Sequence, residues 1–289
     1  MKKQLISIQS LFIIIPVHNR KQLTIKCLHC LKSQTEKRFQ IVVIDDGSTD
    51  GTSQTISEQF PDVHLIRGDG TLWWAEATNL GVKYAIQKKA DYVITLNDDT
   101  EPPVDFISKM MEAVRIKPNA LIGSSALEKS TNELVYIGAN IDWRYAKYNQ
   151  VAINTSIRNS NSDFVSVTHF PGRGLLIPVS VFQNIGFFDS KNFPQTLADF
   201  DFTHRAKEYG YDIFCNLDVK LVIYSELSST VKLRSRKTLR NFYKHLFSIQ
   251  GGSNLPRFIK YAKKNCPRKY KLQFILIGTV RRIFGYWKY

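Results

Sequence analysis

From Val231 to Tyr289 the chain contains no aspartate and no glutamate, yet it carries sixteen lysines and arginines. The whole chain has 40 basic and 25 acidic residues, so the part before Val231 holds 24 against 25, a net charge of −1. All of the +15 excess therefore sits in the last segment. Charge of one sign gathered in this way selects an anionic partner: lipid, nucleic acid or an acidic polymer. Also lacking is any apolar run near the roughly 18 residues that span a bilayer, so no integral membrane helix is expected. Leu11–Val17 is short, contains Pro16 and follows polar Ser7, Gln9 and Ser10, which reads as a buried strand rather than a signal peptide. Cysteine is scarce. Cys27-Leu-His-Cys30 has no second pair and no histidine pair at ligand spacing, so zinc is not expected, and the reading is of reduced thiols on the first helix.

What is present is an alternation of apolar runs and helical stretches. Leu11–Ile15, Gln40–Asp45, Val63–Ile66 and Tyr92–Leu96 read as strands, the apolar ones buried on both faces. Helices are expected over Lys21–Gln34, Thr52–Gln59, Trp73–Lys88 and Pro103–Ile116. This order predicts an α/β fold with a mostly parallel central sheet flanked by helices. Ligands of such sheets bind at the carboxyl ends of the strands. Three polar clusters fall there: His18-Asn19, Asp45-Asp46 and Asn97-Asp98-Asp99. After residue 118 the pattern changes to mixed strands over Leu134–Ile141, Phe164–Thr168 and Leu175–Ile177, and near Ile213 and Leu221. Helices are expected over Val179–Ile185 and Asp199–Tyr209.

Two carboxylates just past a buried strand can hold a hard divalent cation on a diphosphate; the competing reading is a polar turn that caps the next helix. Asp45-Asp46-Gly47-Ser48 has the same two readings, with a nucleobase as the ligand. Trp73-Trp74 could offer an aromatic face to a sugar or base or pack in the core. Arg173 could grip an acceptor phosphate or form a surface ion pair. No Gly-x-Gly-x-x-Gly fingerprint is present, which argues against a dinucleotide-dependent oxidoreductase. Pro16-Val-His-Asn19 stands where a nucleotidyltransferase would carry a glycine-rich, arginine-containing loop.

Taken together, Ile15-Pro-Val-His-Asn19, Val43-Ile-Asp-Asp-Gly-Ser48 and Leu96-Asn-Asp-Asp99 resemble the hallmarks of the family 2 glycosyltransferases of GT-A fold, an inverting family. Gly68-Asp-Gly70 with Ala75-Glu-Ala-Thr-Asn-Leu-Gly81 is similar to the stretch that crosses the family's nucleotide site. Pro171-Gly-Arg-Gly-Leu-Leu-Ile-Pro178 with Gly186-Phe-Phe-Asp189 resembles its acceptor-side segment. Ala198-Asp-Phe-Asp201, followed by Arg205 and Gly210-Tyr211, resembles its catalytic helix. The resemblance covers about residues 10 to 226. It implies a GT-A (Rossmann-like) sheet and a catalytic domain over 1–230, with a nucleotide-binding half to about 118 and an acceptor-binding half over 119–230. It implies Asp199 as general base and Asp99 as metal ligand, for Mn²⁺ or Mg²⁺. Pro16, His18, Asn19, Asp46, Asp69, Trp73, Asn79, Asn97 and Asp98 would line the nucleotide-sugar site. Gly172, Arg173, Gly174 and Asp201 would lie on the acceptor side. Three positions depart from the pattern. Asn97 replaces the first acid of the metal motif, Ala198 replaces the first glutamate of the base motif, and Ser225 stands where many members place a metal-binding histidine; His204 or His245 could compensate.

The implied reaction moves one sugar from a UDP- or dTDP-sugar to a saccharide hydroxyl, the acceptor being lipid-linked in cell-surface polysaccharide synthesis. A catalytically degenerate, membrane-associated nucleotide-sugar-binding scaffold is the alternative. Residues 231–289 read as basic amphipathic helices. Leu272, Ile275, Leu276, Val280, Ile283, Phe284 and Trp287 form one stripe at helical spacing, and Leu255, Phe258, Ile259 and Ala262 form another. An anionic membrane surface is the expected partner, which would make the protein cytoplasmic and peripheral at the inner face of the membrane. The competing reading docks these stripes on the catalytic domain or in a homodimer. No nucleic-acid module is recognisable, so nucleic acid is not an expected partner.

Overall fold

The computed structural model of the protein describes residues 10–151, 162–227, 231, 233, 235 and 237–288. Ser7 and Gln9 of the expected leader to the first strand, and the first turns of the expected basic tail in part, lie outside the described residues.

Apolar runs without alternation form the centre of the sheet because both of their faces are covered. The strands β1 (Leu11–Val17), β2 (Gln40–Asp46), β3 (His64–Gly68) and β4 (Tyr92–Thr95) pair in parallel in the order β3-β2-β1-β4. Val17 pairs with Asp45, and Asp46 with Gly68. The turns after β1, β2 and β3 thus open at one end of the sheet. Helices α1 (Lys21–Lys32), α2 (Thr52–Gln59) and α4 (Phe106–Ile116) cover one face, where Cys27, Leu31, Ile56 and Met110 pack on Ile13, Ile15, Val43 and Ile94. Helix α3 (Trp73–Gln87) covers the other through Ala75, Ala77, Val82 and Ala85 against Phe12, Ile14, Val42 and Ile44. The helix expected from Pro103 starts at Phe106 instead: Pro102 and Pro103 carry no N–H, and Pro103 O accepts the Phe106 N–H in a turn before the helix.

The second half extends the same sheet with mixed strand directions. Its strands are β5 (Thr100–Glu101), β6 (Leu121–Glu128), β7 (Leu134–Tyr136), β8 (Ala139–Asp142), β9 (Lys147–Gln150), β10 (Phe164–Ser166), β11 (Leu175–Pro178) and β12 (Ile213–Ile223). From β4 the order runs β11-β6-β12-β10, with β11 antiparallel to both neighbours and β12 parallel to β6. The strand expected over Leu134–Ile141 is two strands, because Gly138 adopts φ +108° between them, a conformation that favours glycine. The two strands expected near Ile213 and Leu221 are one, with a register shift between Asn216 and Lys220. Strands β8 and β9 form a separate hairpin. Helices α5 (Val179–Ile185) and α6 (Ala198–Glu208) join the α3 face, where Phe182, Phe188 and Phe202 cluster.

The basic segment is helical where described: α7 (Leu239–Phe247), α8 (Leu255–Asn265) and α9 (Lys271–Lys288). Thr238 and Asn254 cap α7 and α8 by accepting the N–H of Asn241 and Arg257, as short polar side chains do at helix starts. The α8 stripe docks on the body: Phe258, Tyr261 and Ala262 are buried, and Tyr261 stacks on Trp143. In α9 the buried residues are Phe274, Gly278 and Tyr286, which are not the expected stripe. Most of the expected stripe faces outward, with Leu272 79% and Leu276 67% exposed and Val280, Phe284 and Trp287 exposed beside them, while Ile275 packs partly buried against the Phe258 cluster. No helix among the described residues is long and apolar enough to cross a membrane.

Candidate active site

The turn after β1 is built by side chains that tie it to its neighbours. Asn19 adopts a left-handed backbone, φ 51°. Its side-chain oxygen accepts the Thr49 N–H at 2.7 Å, and its own N–H donates to the Ser48 hydroxyl at 2.8 Å. Nδ1 of His18 bonds the Asp46 carbonyl at 2.5 Å. The Asp46 carboxylate turns the other way. It accepts the N–H groups of Gly70 at 2.8 Å, Leu72 at 3.3 Å and Trp73 at 3.0 Å, and so shapes the loop from β3 into α3. Trp73 is held there at φ 58°, an uncommon conformation for a bulky residue and a frequent mark of functional loops. Asp45 accepts from Ser48 N–H and from the Ser53 hydroxyl, and these residues line a cleft of about 360 Å³ with Arg67 and Gly68 at the strand ends.

Past β4 lie the three polar residues of the expected metal motif. The guanidinium of Arg20 spans both acids, at 3.1 Å from Asp98 Oδ1 and 2.9 Å from Asp99 Oδ2. Asp98 is buried, and its Oδ2 has no hydrogen-bond partner among the described residues. Burial pushes its carboxyl up to about 7; the neighbouring Asp99 adds to the rise and Arg20 opposes it. This carboxyl is short of positive charge even with Arg20 beside it. Asn97 does not point at the acids. Its side-chain oxygen accepts the Trp74 indole N–H at 3.0 Å.

Trp74 connects this strand end to the second half of the domain. Its ring packs edge-on to Phe188 and lies so close to Gly172 that a Cβ there would sit 2.3 Å from the ring. Only glycine fits that contact. Gly172 in turn donates its N–H to Asp199 Oδ2 at 3.2 Å, while Phe200 N–H donates to Oδ1 at 2.9 Å. Asp199 is half-buried at the start of α6. Desolvation raises its pKa, against the pull of the Gly172 and Phe200 N–H groups and of Arg173. Leu197, just before α6, is a third non-glycine residue held at positive φ, 70°. Indole, glycine amide and carboxylate thus form one chain of contacts from the β4 end to Asp199.

The glycosyl transferase family 2 model matches residues 12–186 of this chain, the stretch that holds both strand-end acids, Trp74 and Gly172. The chain belongs to glycosyl transferase family 2. An uncharacterized glycosyltransferase of Rickettsia felis is 37% identical over 103 residues, 34% of this chain and 16% of that protein. The chain therefore spans about a sixth of the length of that relative. The dTDP-rhamnosyl transferase RfbF of Shigella flexneri is 24% identical over 216 residues, 74% of this chain and 68% of RfbF. Among solved structures, GalNAc-T7 with UDP, GalNAc and Mn²⁺ superposes with a TM-score of 0.65 at 14% identity, covering 97% of this chain and 56% of that one. At that identity the likeness shows the GT-A fold.

Within this family 2 domain, the residues singled out from sequence fall into two groups. Pro16, His18, Asn19, Asp46, Asp69 and Trp73 gather at the strand ends; Asp69 is exposed and accepts the Thr71 N–H at 2.9 Å. Asn97, Asp98, Asp99, Gly172, Gly174 and Asp199 lie along the Trp74 chain, with Arg173 near Asp199. Asn79 and Asp201 have structural partners instead. Asn79 exchanges two hydrogen bonds with the backbone of Phe188. Asp201 is fully buried and pairs with Arg205 and Lys264, with Asn265 donating at 3.0 Å, which fastens α6 to α8. The described residues hold no cluster of three or more His, Cys, Asp or Glu that could bind a metal, so neither His204 nor His245 joins Asp98 and Asp99. Ser225 N–H bonds Glu128. Sequence reasoning finds no sign of Arg20, and it marks Trp74 only as half of a Trp-Trp pair that could face a sugar or base or pack in the core. Their partners lie 79 and 23 residues away, and only the Trp-Trp pair gave any signal.

Proposed function

We propose that the protein is an inverting glycosyltransferase that moves one sugar from a UDP- or dTDP-sugar to a hydroxyl of a lipid-linked saccharide. The single observation that carries this reading is the half-buried Asp199 carboxyl, raised in pKa and joined through Gly172 and Trp74 to the strand end of Asp98 and Asp99. A carboxylate with a raised pKa is, in its ionised form, a stronger base. Asp199 takes the proton of the acceptor hydroxyl as its oxygen attacks the anomeric carbon. The bond from that carbon to the diphosphate breaks, and the nucleoside diphosphate leaves with the electron pair. One displacement inverts the configuration. The Gly172 and Phe200 N–H groups hold the Asp199 carboxylate in place.

The unpartnered Asp98 Oδ2 and the Asp99 carboxylate fit a divalent cation that takes its remaining ligands from a diphosphate and water. Such an ion, Mn²⁺ or Mg²⁺, would stabilise the charge of the departing diphosphate. Arg20 would then give up one of its two contacts. The same Arg20 bridge supports a second reading, a scaffold that binds nucleotide sugars without turnover, because a guanidinium already occupies the acids. The exposed apolar rows on α7 and α9, among basic residues, support a peripheral position on an anionic inner membrane face.

A thermal-shift screen of UDP-, dTDP- and GDP-sugars with and without Mn²⁺ tests the reading. A ligand bound only by the folded state raises its stability by mass action. A metal-dependent shift with one uridine or thymidine donor is expected. No shift with any donor, in folded protein, contradicts donor binding; a shift without release of nucleoside diphosphate favours the scaffold.

A further inference from the structure

Between α9 and the β8–β9 hairpin lies a cavity of about 710 Å³ whose walls include Lys147, Tyr148, Arg281, Arg282 and Lys288 and, among the described residues, no acid. Beside it an apolar groove of about 530 Å³ runs along Leu276, Ile277, Val280 and Phe284. The two share Arg281, Gly285 and Lys288, so a cationic end opens directly onto an apolar one.

Among the described residues, neither Arg281 nor Arg282 pairs with a carboxylate. Arg282 donates to the Gly278 carbonyl at 3.2 Å and lies 3.6 Å from the Phe258 ring centroid. Burial lowers its pKa, Arg281 adds to that, and Tyr148 opposes it. A guanidinium desolvated without a matching anion is costly. Arg281 donates to the carbonyls of Tyr145 at 3.0 Å and Ala146 at 2.7 Å, which are neutral partners. The buried Tyr148 hydroxyl faces Arg282 and, being neutral, leaves the guanidinium's charge unmatched. An anion in the cavity would satisfy these donors together, and guanidinium forks suit phosphate oxygens.

The Tyr148 wall of the cavity faces the helix that carries the proposed base. The Tyr148 ring lies 5.5 Å from that of Phe200, whose N–H donates to Asp199. An anionic group held by Arg282 is thus separated from Asp199 by two aromatic side chains.

Resting on the transferase reading above, we propose that this cavity binds the phosphate or diphosphate head of the lipid-linked acceptor and that the groove takes the start of its apolar chain. The saccharide attached to that head then lies toward Asp199. A free phosphate would need only the cavity. The adjoining groove is what selects an amphiphile.

The test uses the full chain in flotation with phosphatidylcholine vesicles carrying a polyprenyl phosphate, against vesicles of equal charge made with phosphatidylglycerol. Preference for the polyprenyl phosphate is expected. Arg282→Gln should reduce it by about tenfold, as loss of one charge-assisted contact does, while phosphatidylglycerol partition stays unchanged. Lys147→Gln, at an exposed wall position, should reduce it too and serves if Arg282→Gln fails to fold. Inorganic diphosphate should compete. Equal partition into both vesicles, or variants without effect, overturns the proposal. Diphosphate binding without vesicle preference does so as well, by leaving a free-anion site. Donor-induced thermal shifts on the same preparations separate the two readings. A retained shift without lipid preference removes this site alone, and lipid preference without any donor shift removes the transferase reading alone.

Discussion

At the residue scale the account turns on Asp199. Asp199→Asn keeps the shape and removes the proposed base, so transfer should fall by about 10²–10⁴-fold with nucleotide affinity nearly intact; steady-state rates beside nucleotide titration check this. Because desolvation raises the Asp199 pKa, the base becomes competent only as pH rises through a value above that of an ordinary aspartate. The acid limb of kcat/KM should therefore lie above the carboxylate value of about 4, and a limb at or below it would contradict the assignment. Asp99→Ala should weaken nucleotide binding in the presence of Mn²⁺ more than in its absence. The positions of Asp199 and Asp99 at a helix start and past a strand end were legible because each stands in a short linear motif. Arg20 and the contacts of Trp74 to Asn97 and Gly172 were not, because they exist only once separate strand ends converge. Asp46 shows the converse: the motif marks it, but the fold directs its carboxylate at three backbone N–H groups.

At the element scale, two joints hold the site. One is Gly172 against the Trp74 ring. Gly172→Ala forces a Cβ to 2.3 Å from that ring, and such overpacking costs about 1–3 kcal/mol, measurable as a lower denaturation midpoint with reduced turnover. The other is Asp201, which pairs with Lys264 across the α6–α8 contact. Asp201→Ala should cost about 3 kcal/mol, the low end for a broken buried pair because Lys264 and Arg205 reach solvent. Hydrogen exchange should then speed up in α8 ahead of the central strands. The central strands were readable because doubly buried strands are apolar throughout. The docked face of α9 was not, because apolar residues surround that helix and one buried position is Gly278, packed under Phe258. A glycine adds no hydrophobic signal.

At the scale of the whole molecule, charge and burial set the response to pH. His169 is buried between Tyr261 and His204, and desolvation, with His204 adding, holds its pKa down to about 3 from 6.5. The folded state refuses a proton that the unfolded state accepts, so stability falls as pH drops below about 6.5 toward 3. Tm should fall less over that window in His169→Gln than in the parent chain, and parallel curves would contradict this. The separation of a neutral body from a basic terminal segment was visible in the residue counts. Which faces of that segment remain open came from packing alone. The central claim is tested most directly by incubating the protein with its best-shifting nucleotide sugar, Mn²⁺ and a saccharide-lipid acceptor while measuring nucleoside diphosphate release. Acceptor-dependent release that Asp199→Asn lowers by about 10²–10⁴-fold is expected; release unaffected by that substitution, or none from any bound donor, would contradict the transferase reading.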